Sequence, residues 1–401
     1  MAATVTSPIT DYLEAVLRAC RDSDGGEVLT GNRILSEADP DVFSVAVVTV
    51  EGTVYCAGDV DSSFSIQSIS KALTYALALA DRGLDAVHRK IDVEPSGDAF
   101  NEISLERDTG RPRNALINAG AIAAHSLVEG RDVEHRVDRI LALHSAFVGR
   151  DLSIDDDVFD AEMESSDRNL ALAHMLASVK VLECDAHEVV TGYARQCSID
   201  VTTPDLAMLA ATMANGGVHP ESGERVATSA VVRQVLSTMT TCGMYDGTGD
   251  WIANVGIPAK SGVSGAIIGV LPGQLGIAVH SPRLDDRGNS VRGVEVFERL
   301  SRDMDLHMMD IAPSGHSAVR RAREEDGRTV YELQGDIRFA GAENIMSRVL
   351  ADLPDEPTRI GFELKPARAV NGAAVRLLGE LIERLRGDGH DVEVDDPNGL
   401  M

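Results

Sequence analysis

The sequence is short of lysine and of cysteine, and each shortage excludes something. Lysine occurs at five positions only, Lys71, Lys90, Lys180, Lys260 and Lys365. All basic residues together number 37 against 64 acidic ones, leaving a formal net charge of −27. So acidic a chain repels phosphate backbones and anionic lipid, so neither nucleic acid nor a membrane is an expected partner. It fits a strongly solvated surface, and it predicts tolerance of molar salt, which screens self-repulsion among the carboxylates. The five cysteines, Cys20, Cys56, Cys184, Cys197 and Cys242, are odd in number, widely spaced and without a C-x-x-C pair. Neither a disulfide framework nor a zinc knuckle is expected from them. Apolar runs are broken by Gly and Pro well short of a membrane span. Met1–Val5 shows no basic segment leading into an apolar run, so no signal peptide is read and the cytoplasm is the expected compartment. What is present is a chain of 401 residues that is 44% hydrophobic, enough for two domains with real cores.

One lysine has a serine three residues before it. Phe64-Ser65-Ile66-Gln67-Ser68-Ile69-Ser70-Lys71 runs into Ala72–Leu79, where Ile69, Leu73, Ala76, Leu77 and Ala80 recur at helical spacing. Ser68 and Lys71 therefore share one face of the first turns. A serine hydroxyl becomes a nucleophile when a neighbouring base takes its proton, and a buried, neutral lysine amine is such a base. This is the S-x-x-K arrangement of serine acyl-transfer enzymes. Taken alone, the tetrapeptide fits a buried helix start with a snorkelling lysine better than a catalytic pair.

The rest of the chain supplies context. Val42–Val50 and Thr53–Ala57 form a hairpin across Glu51-Gly52, just before the Ser68 stretch. Arg111–Ile122 enters a small-residue helix against which another segment can pack closely. Asp151–Asp160 reads as a solvated helix start, with a cation site as the rival reading. His174, on a helix over Leu170–Val181, is expected to be packed. Thr202 or Thr203 caps the helix that ends at Asn215, with Pro204 in its first turn. Ala266–Leu271 and Leu275–His280 form a second hairpin around Pro272-Gly273-Gln274. Just before it lies Lys260-Ser261-Gly262, where glycine lets a substrate approach the backbone and Lys260 adds positive charge. Val294–Asp303 closes the first domain. Ala312–Ser317 is the expected linker, and Thr329–Leu333, Ala342–Leu350, Arg359–Leu364, Asn371–Arg386 and His390–Val394 alternate strand with helix, as in a small α/β domain.

Up to about Ile311 the chain resembles the serine-dependent glutaminase family, which shares the fold of β-lactamases and penicillin-binding proteins. The matching stretches are Gly58-Asp59 with Phe64–Lys71, Asn114 with Ile117–Ile122, Glu162 with Arg168-Asn169, Tyr193 with Gln196–Ile199, Gly243–Asp246, and Pro258–Gly265. The resemblance implies an α/β (α+β) catalytic domain of antiparallel sheet and helices over 1–311, a linker over 312–317 and a second domain over 318–401. It implies Ser68 as nucleophile, Lys71 as its base, and Tyr193, Tyr245 and Lys260 as further catalytic residues, one of the tyrosines passing the proton to ammonia. The oxyanion hole would be the N–H groups of Ser68 and Val263. Glu162, Asn118 and Asn169 would hold the α-amino and α-carboxylate groups of L-glutamine, with Tyr193 and Tyr245 lining the pocket. No metal or organic cofactor is implied, and a homo-oligomer, dimer or tetramer, is. One departure stands out: where members of the family carry a Tyr-Ile-Pro stretch whose tyrosine meets substrate, this chain reads Thr30-Gly31-Asn32-Arg33-Ile34-Leu35. The C-terminal part resembles a STAS domain, on Leu333–Ile337 and Val370–Ala374, without the phosphorylatable serine; its partner is unspecified. Two other readings stay open, a β-lactam-processing acyl enzyme and a non-catalytic sensor. The first would want an asparagine two residues after Tyr193, where Arg195 stands.

Overall fold

Runs of β-branched residues broken by short turns build a five-stranded antiparallel sheet. The structure, a computed structural model, describes residues 7–97, 104–310, 317–325, 327–354 and 356–401. The five strands of that sheet are β1 (Ser44–Thr49), β2 (Val54–Gly58), β3 (Ala259–Gly262), β4 (Ala266–Leu271) and β5 (Leu275–His280), in the order β2-β1-β5-β4-β3. Both predicted hairpins are there: Val48 faces Val54 across the first and Leu271 faces Leu275 across the second. The central strands β1, β4 and β5 are buried at every residue. That is why they read as unbroken apolar runs instead of alternating ones. β1 pairs with β5 although some 225 residues separate them, so the first hairpin and the second are one sheet.

The helices that carry the site are α1 (Ser70–Arg82), α2 (Asn118–Leu127), α3 (Asp156–Glu164), α4 (Asp167–Ser178), α5 (Ala186–Cys197), α6 (Thr203–Ala214) and α7 (Ser229–Cys242). α6 lies on β1, β4 and β5. Thr202 is its cap, in a capping box with Asp205, and Pro204 sits in the first turn. α2 packs against α1, α4 and α5. Its small residues permit the close approach expected of them: a Cβ at Gly120 would lie 1.8 Å from the Asn114 carbonyl oxygen. The helix itself begins at Asn118, later than the sequence suggests. Asn114 holds the preceding turn by accepting from the N–H groups of Leu116 (2.9 Å) and Ile117 (3.2 Å). Asp155 caps α3, so the acidic run is a helix start, and no cluster of three metal-binding side chains occurs among the described residues. His174 is exposed, not packed, because the buried stripe of α4 runs through Leu172, Ala173 and Leu176 and misses it.

Two compact units make up the chain: Leu17–Phe297, and Met1–Val16 together with Glu298–Met401. In the second unit β6 (Val319–Glu325), β7 (Arg328–Leu333), β8 (Arg359–Glu363) and β9 (Asp391–Asp395) stand in the order β9-β8-β7-β6. β7, β8 and β9 are parallel and β6 antiparallel. Between residues 318 and 401, α8 (Phe339–Asp352) and α9 (Gly372–Gly387) supply the helices, so strand and helix alternate there as predicted. Within this unit Tyr12 donates to Asp303 (3.1 Å) and Arg384 pairs with Asp11. The expected linker falls, apart from Ser317, outside the described residues.

Candidate active site

Ser68 sits not in α1 but in the 3₁₀ turn Gln67–Ile69 that leads into it. The reason is the residue before it: Gln67 has φ +49°, a left-handed conformation that persists at a non-glycine only when its surroundings enforce it. Three contacts do so. Ser70 Oγ donates to the Gln67 carbonyl (2.8 Å), and Gln67 Nε2 donates to Ser65 Oγ (3.1 Å) and to Glu162 Oε1 (3.2 Å). The turn presents Ser68 Oγ to Lys71 Nζ at 2.8 Å. Lys71 is fully buried, and that burial pulls its amine from an ordinary 10.5 down to about 8, against the opposing influence of Cys197 and Glu162. The lysine is thus neutral over an accessible pH range, and its lone pair can accept the Ser68 proton while an N–H stays on Asn118.

Asn118 Oδ1 accepts from Lys71 Nζ (2.7 Å) and from the Tyr193 hydroxyl (3.3 Å), while its Nδ2 donates to Asn169 Oδ1 (3.1 Å). These partners dictate which end of the amide points where. Asn118, Asn169, Lys71 and Tyr193 are therefore one connected group, brought together from α2, α4, α1 and α5. The Tyr193 ring lies 6.0 Å from Lys71 Nζ. Burial raises the Tyr193 phenol well above its usual range.

Tyr245 reaches the same place from a second strained turn, with φ +55°. Thr248 clamps it, accepting from the Met244 N–H (3.1 Å) and donating to the Tyr245 carbonyl (2.8 Å). Gly243 lets this turn touch β3: a Cβ there would lie 1.7 Å from the Ala259 carbonyl oxygen. The Tyr245 hydroxyl donates to the Ser261 carbonyl (3.0 Å), and Ser68 is its other side-chain partner. Burial raises its pKa, so it keeps its proton. Lys260, fully buried, donates to the carbonyls of Ser261 (2.6 Å) and Gly243 (3.3 Å), and lies 4.4 Å over the Tyr245 ring. Burial, reinforced by Lys71, pushes Lys260 well below the usual lysine range. It pegs Tyr245 and β3 together.

The end of β3 packs on the Ser68 turn, with a Cβ at Gly262 only 3.3 Å from the Ile66 carbonyl oxygen. The Val263 residue that follows enters no backbone turn or loop hydrogen bond among the described residues, and neither does the Ser68 N–H. Both N–H groups are thus without a loop or turn partner among the described residues, as an oxyanion-binding role would require. Glu162 is held by two neutral amides, Gln67 Nε2 (3.2 Å) and Asn32 Nδ2 (2.8 Å). Burial raises its pKa, opposed by those amides and by Lys71. Every site residue read from the sequence lies in this one unit, and the contacts above join Ser68, Lys71, Asn118, Asn169, Tyr193, Tyr245, Lys260 and Glu162.

In the sequence Asn32 stands out only as a departure from pattern, and no motif signal gives a role to Gln67, Ser70, Thr248 or Cys197. Cys197 lies fully buried beside Lys71 and Tyr193, its thiol pushed up to about 12 by burial. Arg195, where a β-lactam enzyme would want an amide, stacks on Phe159 at 4.3 Å and faces Asp156 at 3.9 Å.

The buried amine has a consequence for pH. With Lys71 as the base, kcat/KM for the amide substrate is expected to rise with pH through about 8 and then level off. A profile flat from about pH 6 to pH 9 would remove Lys71 from that role. Stability moves the same way. The unfolded amine holds its proton up to 10.5 and the folded one only to about 8, so raising pH between the two stabilises the fold.

A helix-backed antiparallel sheet with a serine–lysine pair at a helix entrance defines a class, the serine acyl-transfer hydrolases. Within it the chain belongs to the glutaminase family, whose model matches residues 26–309. The glutaminase of Corynebacterium efficiens is 45% identical over 400 residues, 99% of this chain and 94% of that protein. The glutaminase of Clavibacter michiganensis subsp. michiganensis is 48% identical over 298 residues, 74% of this chain and 90% of that protein. Among solved structures, that of Mglu superposes with a TM-score of 0.76 at 47% identity, over 99% of this chain and all of the other. A probable glutaminase gives 0.73 at 40% identity, over 75% of this chain and 97% of that one.

Proposed function

We propose that the protein hydrolyses L-glutamine to L-glutamate and ammonia through a γ-glutamyl ester on Ser68. The observation that carries the mechanism is the 2.8 Å contact between Ser68 Oγ and a fully buried Lys71. Ser68 Oγ attacks the side-chain amide carbon and its proton passes to Lys71. The N–H groups of Ser68 and Val263 stabilise the oxyanion. Tyr245, beside Ser68 and still protonated, hands its proton to the departing nitrogen and is reprotonated by Lys71 with the proton taken from Ser68, so the C–N bond breaks, ammonia leaves and Lys71 is neutral again. Tyr193, turned toward Asn118, fits a positioning role better than the relay. Water then attacks the ester with Lys71 as base, releasing glutamate and restoring Ser68. The α-ammonium pairs with Glu162 and the α-carboxylate meets the amides of Asn118 and Asn169.

A STAS-like character for residues 318–401, a homo-oligomer and a cytoplasmic location belong to the same proposal. The alternating strands and helices of the second unit support the first, and no described helix is long and apolar enough to cross a membrane. Tolerance of molar salt is supported by the net charge of −27. The glutaminase of Clavibacter michiganensis aligns over 90% of its length with only 74% of this chain, which supports catalysis without the second domain. Ammonia release is to be measured from glutamine, asparagine and a chromogenic β-lactam, in dilute and molar NaCl. The full chain and a chain ending at Ser314 are both expected to release ammonia from glutamine, with no β-lactam opening. A truncated chain that is soluble and monodisperse but inactive would make the second domain part of the enzyme.

A further inference from the structure

We propose that Asn32 is a positioning residue that aims the Glu162 carboxylate at the substrate's α-ammonium; this rests on the reading of Glu162 as the partner of that ammonium. Asn32 is only 4% exposed and fixed at both ends. Its Oδ1 accepts from the N–H groups of Ile34 (3.0 Å) and Leu35 (3.2 Å), and its Nδ2 donates to Glu162 Oε1 at 2.8 Å. The oxygen end is claimed by two donors, so the amide cannot be turned over. Its backbone carbonyl accepts from Ser36 (3.0 Å), closing the loop around it.

The chemistry of the donor decides the role. Gln67 and Asn32 both land on Oε1, which leaves Oε2 for a ligand. Both donors are neutral. An arginine in place of Asn32 would hold the carboxylate but neutralise it. Two amides hold it and leave its charge for an incoming cation. Burial pushes the Glu162 carboxyl toward its neutral form, and each amide bond to the ionised form opposes that. Asn32 therefore sets both the direction and the charge of the group. It does not touch the reacting amide, so its effect belongs in substrate binding.

The test uses the full chain and two variants that keep a cap on Ile34 and Leu35. Asn32→Ser keeps a short acceptor and cannot reach Glu162. Asn32→Asp keeps the acceptor and sets a second carboxylate against Glu162. Substrates are L-glutamine and 4-carbamoylbutanoate, which is glutamine without its α-amino group. Asn32→Ser is expected to raise KM for glutamine ~10-fold with kcat within ~3-fold, the size of a lost hydrogen bond to a charged group. Asn32→Asp is expected to raise it ~100-fold at about pH 8 and to recover as falling pH lets the two carboxylates share a proton. Turnover of 4-carbamoylbutanoate should not change in either variant. A glutamine KM that stays within ~2-fold in both variants, whether or not the melting temperature falls, assigns Asn32 to the loop alone and overturns the proposal. So does an equal loss with both substrates. Glu162→Gln separates the two readings. If it leaves the preference for glutamine over 4-carbamoylbutanoate intact, the role of Glu162 fails and Asn32 falls with it. If it erases the preference while both Asn32 variants behave as wild type, only the role of Asn32 is wrong.

Discussion

Purified Ser68→Ala protein is expected to release ammonia from glutamine at least ~10⁴-fold more slowly than the parent, and Lys71→Ala to fall nearly as far. Among the described residues, the base that contacts Ser68 Oγ is the Lys71 amine, 2.8 Å away. Removing either member leaves only binding and the oxyanion donors, so the double variant should be little worse than the singles. Lys71→Arg should fail too, because a guanidinium does not give up its proton in proteins. Single-turnover ammonia release, with mass analysis of the peptide carrying Ser68 after rapid acid quench, checks both the rate and the ester. Turnover by purified Ser68→Ala protein within ~10-fold of the parent would rule out the acyl-serine route.

Glu162→Gln is expected to raise KM for glutamine by ~10² or more while leaving the Ser68–Lys71 contact in place. The change keeps the side chain's shape and removes its charge. In the parent, the carboxylate is fixed by two amides and the positive group acting on it is Lys71. An ammonium brought beside a neutral amide in so enclosed a place is a buried charge without its partner, which costs about 3–5 kcal/mol. Part of that is offset by water entering the pocket, which makes the lower figure the safer expectation. Isothermal titration with L-glutamate, which carries the same α-groups, separates this effect from catalysis. Glutamate binding unchanged in Glu162→Gln would move the ammonium site elsewhere.

What was legible in the sequence was local. The Ser68–Lys71 spacing, both hairpins, the Thr202 cap and the alternation after Thr329 depend on neighbours a few residues apart, and the structure holds each of them. What was not legible depends on distance or on backbone shape. Asn32 meets Glu162 across 130 residues, and nothing in Gly31-Asn32-Arg33 announces it. The left-handed turns fall on Gln67 and Tyr245, residues that carry no glycine signal. β6 escaped notice for another reason: Val319–Glu325 is mostly Arg and Glu, and mostly exposed. Its charges face partners such as Glu332 and Glu363, so it lacks the apolar alternation of a half-buried strand and has the charged character of a protected sheet edge.

The scarcity of lysine also governs how the protein meets amine-reactive reagents. Lys71 and Lys260 are sealed in the site, and Lys90 is held by Glu183 and the Lys180 carbonyl. Lys180 and Lys365 are exposed, one in each compact unit. A succinimidyl dye or an aldehyde-bearing resin thus meets two open side-chain amines, neither of them in the pocket. Coupling through them would tether the chain at two known points and leave the serine–lysine pair untouched.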